Sequence, residues 1–382
     1  MKKIYYGMVG GSKRAFIGDV HRKAIAFDPR TALCAGCFST DQDINQETGD
    51  MLLIDKSRVY INYQEMAEKE SAREDGIRFV CITTPNHTHY DMAACFLLHG
   101  IHVVCEKPLC FTVEQAKQLC ALAEERSLLF GVMYGYSGYT MVKVMREMIQ
   151  TGKIGEVLSV QAEYPQEWLI DSLDEQSGET AKLASWRSDP AFAGVSNCMG
   201  DIGTHVEHMV RYVTGLSIKR VLATANYFGQ ALELNANVLV EYENGANGAY
   251  WCSQVAIGNH NGLSVRVYGR EGALEWKQEQ PDMLRYTQRG KPTQELVRAA
   301  GYLQEEAAGC SRVPSGHPEG IYVAFANVYR NFLDALTKKE AGEPEAQTMD
   351  FPNAADGLEG VRFFHAVVES AKADASWVNI TG

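Results

Sequence analysis

Asp201 and His205 stand four residues apart in Gly200-Asp201-Ile202-Gly203-Thr204-His205, at the predicted start of a helix. That spacing puts both side chains on one helix face. Histidine titrates near neutrality, so it can take a hydroxyl proton as a hydride leaves the carbon. The aspartate can orient neighbouring hydroxyls of a polyhydroxylated substrate. A second reactive group lies in Glu106-Lys107-Pro108, directly after the apolar run His102–Cys105. A lysine at the carboxyl end of a parallel strand faces the ligand crevice, where its ammonium stabilises charge developing on oxygen. Each of these residues also has a structural reading: Asp201 as a cap, His205 as a core histidine, Lys107 as a surface cation beside Glu106. A metal set of Asp201, His205 and His208 lacks the HExxH pattern and clustered ligand spacing, so no metal is expected.

Hydride chemistry needs a carrier, and two further segments are candidates to hold one. The stretch Gly7-Met8-Val9-Gly10-Gly11-Ser12-Lys13-Arg14-Ala15-Phe16-Ile17-Gly18 follows the first predicted strand and opens a helix. Gly10 and Gly11 let the backbone approach a pyrophosphate, with Ser12, Phe16 and Ile17 at the helix entry. The match to GxGxxG is imperfect: Ser12 stands where a glycine is expected, and the loop before Gly18 is long. The plainer reading is a strand–helix turn, and the βα units that follow favour a dinucleotide site. The second strand ends Cys37-Phe38-Ser39-Thr40-Asp41, with no acid at its tip. Ser39 with Lys13–Arg14 would suit NADP, Asp41 turned inward would suit NAD, and Asp41 in a helix's first turn would suit the dipole alone. Thr84, Pro85, Asn86 and His89 end another strand at the same sheet edge. Asn86 there can reach the cofactor's amide or ribose, or Asn86 or Thr88 can cap a helix.

The elements that must position these residues change character along the chain. Up to about residue 135, predicted strands (Ile4–Val9, Ala32–Ser39, Val59–Tyr63, Arg78–Thr83, His102–Cys105, Leu129–Met133) alternate with amphipathic helices. Thr112 with Gln115 forms a capping box, and Gly100 ends a helix. Such alternation implies a parallel sheet covered on both faces. Beyond it come a helix over Tyr139–Thr151, a polar stretch Gln166–Gly194 and a helix near Gly203. A run of strands between Val221 and Thr287 follows, with Asn244–Gly245 as a hairpin turn. Residues 289–320 read as loop, and two helices close the chain. The expected fold is therefore an α/β Rossmann domain, residues 1–135, followed by an α+β domain, residues 136–382, with a large, mainly antiparallel open sheet. The last helix is a candidate to pack back on the first domain.

Composition narrows the partners. The chain has 382 residues, 46% of them hydrophobic, and a formal net charge of -12. A core of ample size is expected. Phosphate backbones and anionic lipid are poor partners for so acidic a surface, so neither nucleic acid nor a membrane is expected. No signal peptide or membrane-spanning run is visible, which points to the cytoplasm. Several cysteines sit in apolar runs, and the Cys34–Cys37 pair has no second pair to complete a zinc site, so reduced core thiols are expected.

Together, Glu106-Lys107-Pro108, Asp201-x-Gly-x-His205, Thr84-Pro85-Asn86 through His89 and the loop ending Gly18–His21 resemble the Gfo/Idh/MocA oxidoreductase family over nearly the whole chain. The resemblance implies that Lys107 sits against the reacting oxygen and nicotinamide, His205 is the general acid/base, Asp201 orients substrate and Glu106 holds Lys107. It implies NAD as cofactor, with NADP as the alternative, and a homo-oligomer, a dimer, tetramer or higher. The activity expected is reversible dehydrogenation of a secondary hydroxyl of a sugar, a glycoside (at C3) or an inositol. Tyr134, Tyr136, Trp168 and Trp186 are candidate walls for a sugar ring, with plain core packing as the alternative. Arg187 is placed to reach cofactor or an acidic substrate group. His317, in Gly316-His317-Pro318-Glu319-Gly320, is a candidate lid residue. Two rival functions share the fold: a non-catalytic NAD(P) or sugar sensor, and a protein that retains its nucleotide while cycling two substrates.

Overall fold

The computed structural model describes residues 3–173, 189–303, 306–343 and 350–380. The chain forms two compact units, Met1–Gly135 with Ile321–Leu358, and Tyr136–Gly320 with Glu359–Gly382.

The first unit is built on five parallel strands: β1 (Ile4–Gly10), β2 (Thr31–Cys37), β3 (Phe79–Thr83), β4 (His102–Cys105) and β5 (Phe130–Val132), in the order β2-β1-β3-β4-β5. β3 and β4 are buried at every position, as strands covered on both faces must be. The covering helices are α1 (Phe16–Ala26), α2 (Gln42–Met51), α3 (Tyr63–Ser71), α4 (His89–Leu98) and α5 (Val113–Glu125). Side chains define their starts: Asp41 accepts from the Asp43 and Ile44 N–H groups at α2, Asn62 from Glu65 at α3, and Thr112 with Gln115 closes the capping box at α5. The helix Ile321–Glu340 packs beside α1, its Phe325, Tyr329 and Phe332 joining Val20, Ile25 and Phe79 in one core. Strand order reverses between β1 and β3, the switch point at which an open α/β sheet leaves a crevice beyond its strand ends. Register brings three such ends together: Gly10 pairs with Thr83, and Ile82 with Cys105.

The second unit carries nine strands in the order β13-β12-β11-β10-β6-β9-β8-β7-β14. They are β6 (Val157–Pro165), β7 (Ile218–Asn226), β8 (Asn235–Tyr242), β9 (Asn247–Ser253), β10 (Ser264–Gly269), β11 (Gly272–Lys277), β12 (Met283–Gln288), β13 (Gln294–Val297) and β14 (Val378–Asn379). Every pairing is antiparallel except β6 with β9. Burial alternates along β8, so one face is covered and the other open. The helices α6 (Thr140–Gln150) and α7 (Thr204–Thr214) pack together on the covered face.

Two sequence expectations fail. Val59–Tyr63 forms no strand: Val59 makes one isolated bridge to Gly36, and Tyr60 N–H donates to the Gly36 carbonyl. The segment is pinched between a helical turn capped by Asp55 and the Asn62 cap of α3, which leaves too few residues to pair. The region 289–320 is not all loop, because Gln294–Val297 pairs with β12. Asn244–Gly245 does turn β8 into β9, with Gly245 at φ +86°.

Candidate active site

The glycine loop owes its shape to close approach. Gly10 and Gly11 have φ of +79° and +68°, and a Cβ on Gly10 would lie 2.9 Å from the Thr83 carbonyl oxygen. A Cβ on Gly18 would lie 2.3 Å from Gly11 Cα. The extra residues of the loop are absorbed by a turn in which Ala15 N–H donates to the Ser12 carbonyl, 2.8 Å. Gly18 is thereby returned against Gly11, which explains how Ser12 and the longer spacing are accommodated. α1 starts without a side-chain cap, so its first N–H groups face no acceptor from Ala15. A bare backbone cradle ahead of an uncapped helix fits a pyrophosphate.

Of the groups that bear on the ribose, Asp41 is occupied in capping α2, and Ser39 Oγ accepts from Asp41 N–H at 3.1 Å. Lys13 Nζ is paired with the Glu47 carboxylate.

At the next two strand ends, one imidazole ties the loops together. His89 is fully buried, with Nδ1 2.8 Å from the Pro108 carbonyl and Nε2 2.8 Å from the Thr84 carbonyl. Burial lowers its pKa. The segments Thr84-Pro85-Asn86 and Glu106-Lys107-Pro108 are thus fixed against each other through His89. The Lys107–Pro108 bond is cis. Glu106 turns inward: its Oε1 lies 2.8 Å from His21 Nε2, and His21 Nδ1 lies 2.6 Å from the Tyr329 hydroxyl. Cys81 Sγ is 3.2 Å from both His21 Nδ1 and Tyr329 Oη. Burial opposes ionisation of Glu106, yet His21 and Lys107 outweigh it and hold the carboxyl below its ordinary range.

In the second unit, Asp201 lies in a π-helical turn, Met199–Gly203, that runs directly into α7 and His205. Such turns concentrate at functional sites. Glu233, nearly fully buried, anchors the segment by accepting from the Ser196 hydroxyl at 2.5 Å and Met199 N–H at 3.0 Å. Burial raises its pKa despite these donors. Gln254 Nε2 donates to Asp201 Oδ2 at 3.0 Å. The Tyr136 ring lies 4.8 Å from the His205 ring, centre to centre, and Tyr164 lies 6.1 Å away. Behind them the hydroxyls of Tyr136 and Tyr164 are 2.6 Å apart, and Tyr164 donates to Asn261 Oδ1 at 2.5 Å. Gln166 donates to the same oxygen at 2.9 Å and accepts from Trp168 Nε1 at 3.0 Å.

Of the candidate wall residues, the structure brings Tyr136 and Trp168 into one hydrogen-bonded array beside His205. Tyr134 is buried in the first unit, His317 is exposed in the second, and Trp186 and Arg187 lie outside the described residues. Sequence reasoning missed Tyr164, Gln166, Glu233, Gln254 and Asn261. The signal available was a polar residue at the end of an apolar strand, as in Tyr164-Pro165-Gln166 and Cys252-Ser253-Gln254. Cys34 and Cys37 are free, half-buried thiols whose pKa values burial raises, which favours the thiol over the thiolate.

Comparison with known proteins identifies the family. Residues 4–134 match the oxidoreductase family with an NAD-binding Rossmann fold, and residues 142–275 match the GFO/IDH/MocA C-terminal domain. The chain belongs to the Gfo/Idh/MocA family of oxidoreductases. It is 36% identical to the uncharacterized oxidoreductase YfiI of Bacillus subtilis, over 99% of this chain and 97% of that one. It is 26% identical to levoglucosan dehydrogenase of Pseudarthrobacter phenanthrenivorans, over 100% and 99%. Among solved structures, an inositol dehydrogenase homolog from Azotobacter vinelandii, complexed with NAD+, superposes with a TM-score of 0.92 at 36% identity, covering 99% of this chain and 97% of that one. The same homolog was also solved with NADH and myo-inositol, with a TM-score of 0.89 at 35% identity, covering 99% and 98%. The chain is an oxidoreductase whose first unit carries an NAD-binding Rossmann fold. No helix among the described residues is long and apolar enough to cross a membrane.

Proposed function

We propose that the chain reversibly dehydrogenates one secondary hydroxyl of a ring-shaped polyol, an inositol or a pyranoside, with C3 of a glycoside as a specific candidate. The observation that carries this reading is the packing of Tyr136 and Tyr164 against His205, backed by the amides of Asn261 and Gln166. Aromatic faces match the C–H faces of a sugar ring, and the amides and hydroxyls match its OH groups. Two relatives point the same way, one named for levoglucosan and one solved with myo-inositol.

Gly10, Gly11, Ser12 and the first turn of α1 at Phe16 and Ile17 hold the pyrophosphate in this reading. Ser39 lies toward the ribose, and Thr84, Pro85, Asn86 and Glu106 line the nicotinamide half, with His89 fixing their loops. Bound NAD supplies one chemistry, acceptance of a hydride. The protein does the rest: His205 removes the hydroxyl proton, Lys107 stabilises the oxygen as it gains negative charge, and Asp201 orients an adjacent hydroxyl. In the reverse direction His205 returns the proton to the ketone oxygen. Trp168 is a further wall and His317 a lid residue in this reading.

We further infer a homo-oligomer joined through the open face of the nine-stranded sheet. That face carries a shallow groove lined by Leu222, Leu239, Trp251 and Arg266. Sedimentation would show a monomer if this inference is wrong. Ten free cysteines suit a reducing compartment such as the cytoplasm.

The activity is tested by a steady-state screen of inositols, levoglucosan, glucose and methyl glucosides with NAD+ and NADP+. Turnover on at least one ring polyol is expected. NADH binding with no change in nicotinamide absorbance on any of them would mark a sensor and overturn the reading.

A further inference from the structure

Gln254 is fully buried one residue beyond β9, and three contacts fix it. Its N–H donates to the Leu234 carbonyl at 2.9 Å, its carbonyl accepts from Leu169 N–H at 3.0 Å, and its side-chain Nε2 donates to Asp201 Oδ2 at 3.0 Å. Its Oε1 is buried with no hydrogen-bond partner among the described residues. An apolar side chain of the same length would fill this place without stranding a polar oxygen, so packing alone does not ask for an amide. Chemistry also sets the amide's orientation, because an ionised carboxylate only accepts and must face the NH2 end.

The main chain of Asp201 is held separately. Asp201 N–H donates to the Asn197 carbonyl at 2.8 Å, Gly200 N–H to Ser196 Oγ at 2.9 Å, and Cys198 N–H to the Glu233 carbonyl at 3.1 Å. The dipeptide Glu233-Leu234 therefore registers both partners, Glu233 holding the Asp201 segment and Leu234 holding Gln254. With the backbone fixed, Gln254 acts on the carboxylate alone.

We propose that Gln254 is a positioning residue that keeps Asp201 ionised and aimed at substrate. The proposal rests on the reading of Asp201 as the residue that orients substrate. Among the described residues, Tyr164 on β6 and Cys198 on its own segment interact electrostatically with Asp201, Glu233 ahead of β8 and Cys252 on β9 stand next to Cys198, and His205 on α7 follows four residues on. Burial pushes Tyr164, Cys198 and Cys252 well up, so none of these three becomes an anion near neutrality. A neutral amide donor next to Asp201 favours the charged carboxylate without bringing in another group that titrates.

The test is the pH profile of kcat/KM for wild type, Gln254→Leu, Gln254→Glu and Asp201→Asn, on the substrate found by the screen. Gln254→Leu removes the donor, so the Asp201 pKa rises and the acid limb moves to higher pH, with kcat/KM down at least about tenfold. Gln254→Glu behaves oppositely. Burial and the adjacent carboxylate raise the pKa of the introduced carboxyl, which keeps its proton at low pH and can donate it to Asp201. Its activity relative to wild type then falls as pH rises and the two carboxylates come to repel each other. Circular dichroism and NADH affinity near wild type confirm that each variant is folded. Wild-type-like profiles, or a loss by one constant factor at every pH in both Gln254 variants, would reduce Gln254 to packing. If Asp201→Asn itself turns over like wild type, the role given to Asp201 fails, whatever Gln254 does.

Discussion

His21 Nε2 lies 2.8 Å from Glu106 Oε1, and the imidazole has no exposed surface at all. The residue ahead of the proposed catalytic lysine is therefore joined through His21 to the helix Ile321–Glu340, where Tyr329 completes the contact. Burial alone would lower the His21 pKa. The Cys81 sulfur and the Glu106 carboxylate reverse that and raise it from 6.5 to about 10.

Linkage turns this pair into a stability profile. His21 has a folded pKa above its unfolded value, so its contribution is full below pH 6.5 and is lost as pH rises toward about 10. Glu106 is shifted the other way, so its contribution is full above pH 4.5 and is lost as pH falls through its depressed folded value. The pair contributes most between these limits. Melting temperatures of wild type and His21→Gln should differ most near pH 6 and converge toward pH 10. A gap that is constant with pH would show His21 neutral in the fold. Because the substitution leaves Glu106 buried without its charged partner, a loss of about 3–5 kcal/mol is expected near pH 6.

Gly18→Ala tests the glycine loop. The new Cβ would sit 2.3 Å from Gly11 Cα, a backbone atom that cannot swing aside. The loop must open, which lowers both the melting temperature and the affinity for NADH. Fluorescence titration should show NADH binding weakened by at least about tenfold, or about 1.4 kcal/mol. Unchanged affinity would mean that the dinucleotide does not use this loop.

NAD should be preferred to NADP, because Lys13, a candidate cation for a 2′-phosphate, is committed to Glu47. Glu47→Gln releases Lys13 for a 2′-phosphate. The Lys13–Glu47 pair is exposed at its acidic end and such pairs are worth ~0–1 kcal/mol, so NADP should gain at most about fivefold in kcat/KM. No gain, or any loss, would show that the Lys13–Glu47 pair does not set the choice.

Local chemistry made much of this legible. The capping box at Thr112, the Asn244–Gly245 turn and the apolar strands β3 and β4 each carry their own signal, and each forms where the sequence indicates. Residues paired across long stretches of chain carry no signal of which partner they meet. Gln254 meets Asp201, and Glu233 meets Ser196, only because β8 and β9 return to the π-turn. The segment Gly316–Gly320 shows the limit of motif reading. Its histidine drew the functional reading, yet the buried residue is Glu319, which meets the equally buried Arg298 at 3.1 Å. Arg298 also bonds the His317 and Val313 carbonyls, so the motif fixes the loop from below whatever the His317 ring does.

Lys107→Met and His205→Gln separate the two reactive roles. Each should lower kcat by roughly 10²–10⁴-fold, the range a positioned proton donor or acceptor contributes. Loss of His205 removes the proton acceptor, so activity should recover partly as pH rises and the substrate hydroxyl ionises more readily. Loss of Lys107 removes a fixed positive charge instead, and the deficit should persist at every pH. Both variants should keep NADH affinity within a few-fold, since neither is assigned to the pyrophosphate. The measurement is kcat against pH for both variants beside wild type. Near-normal turnover in either one would strike that residue from the chemistry, and identical pH profiles would mean that the two roles are not distinct.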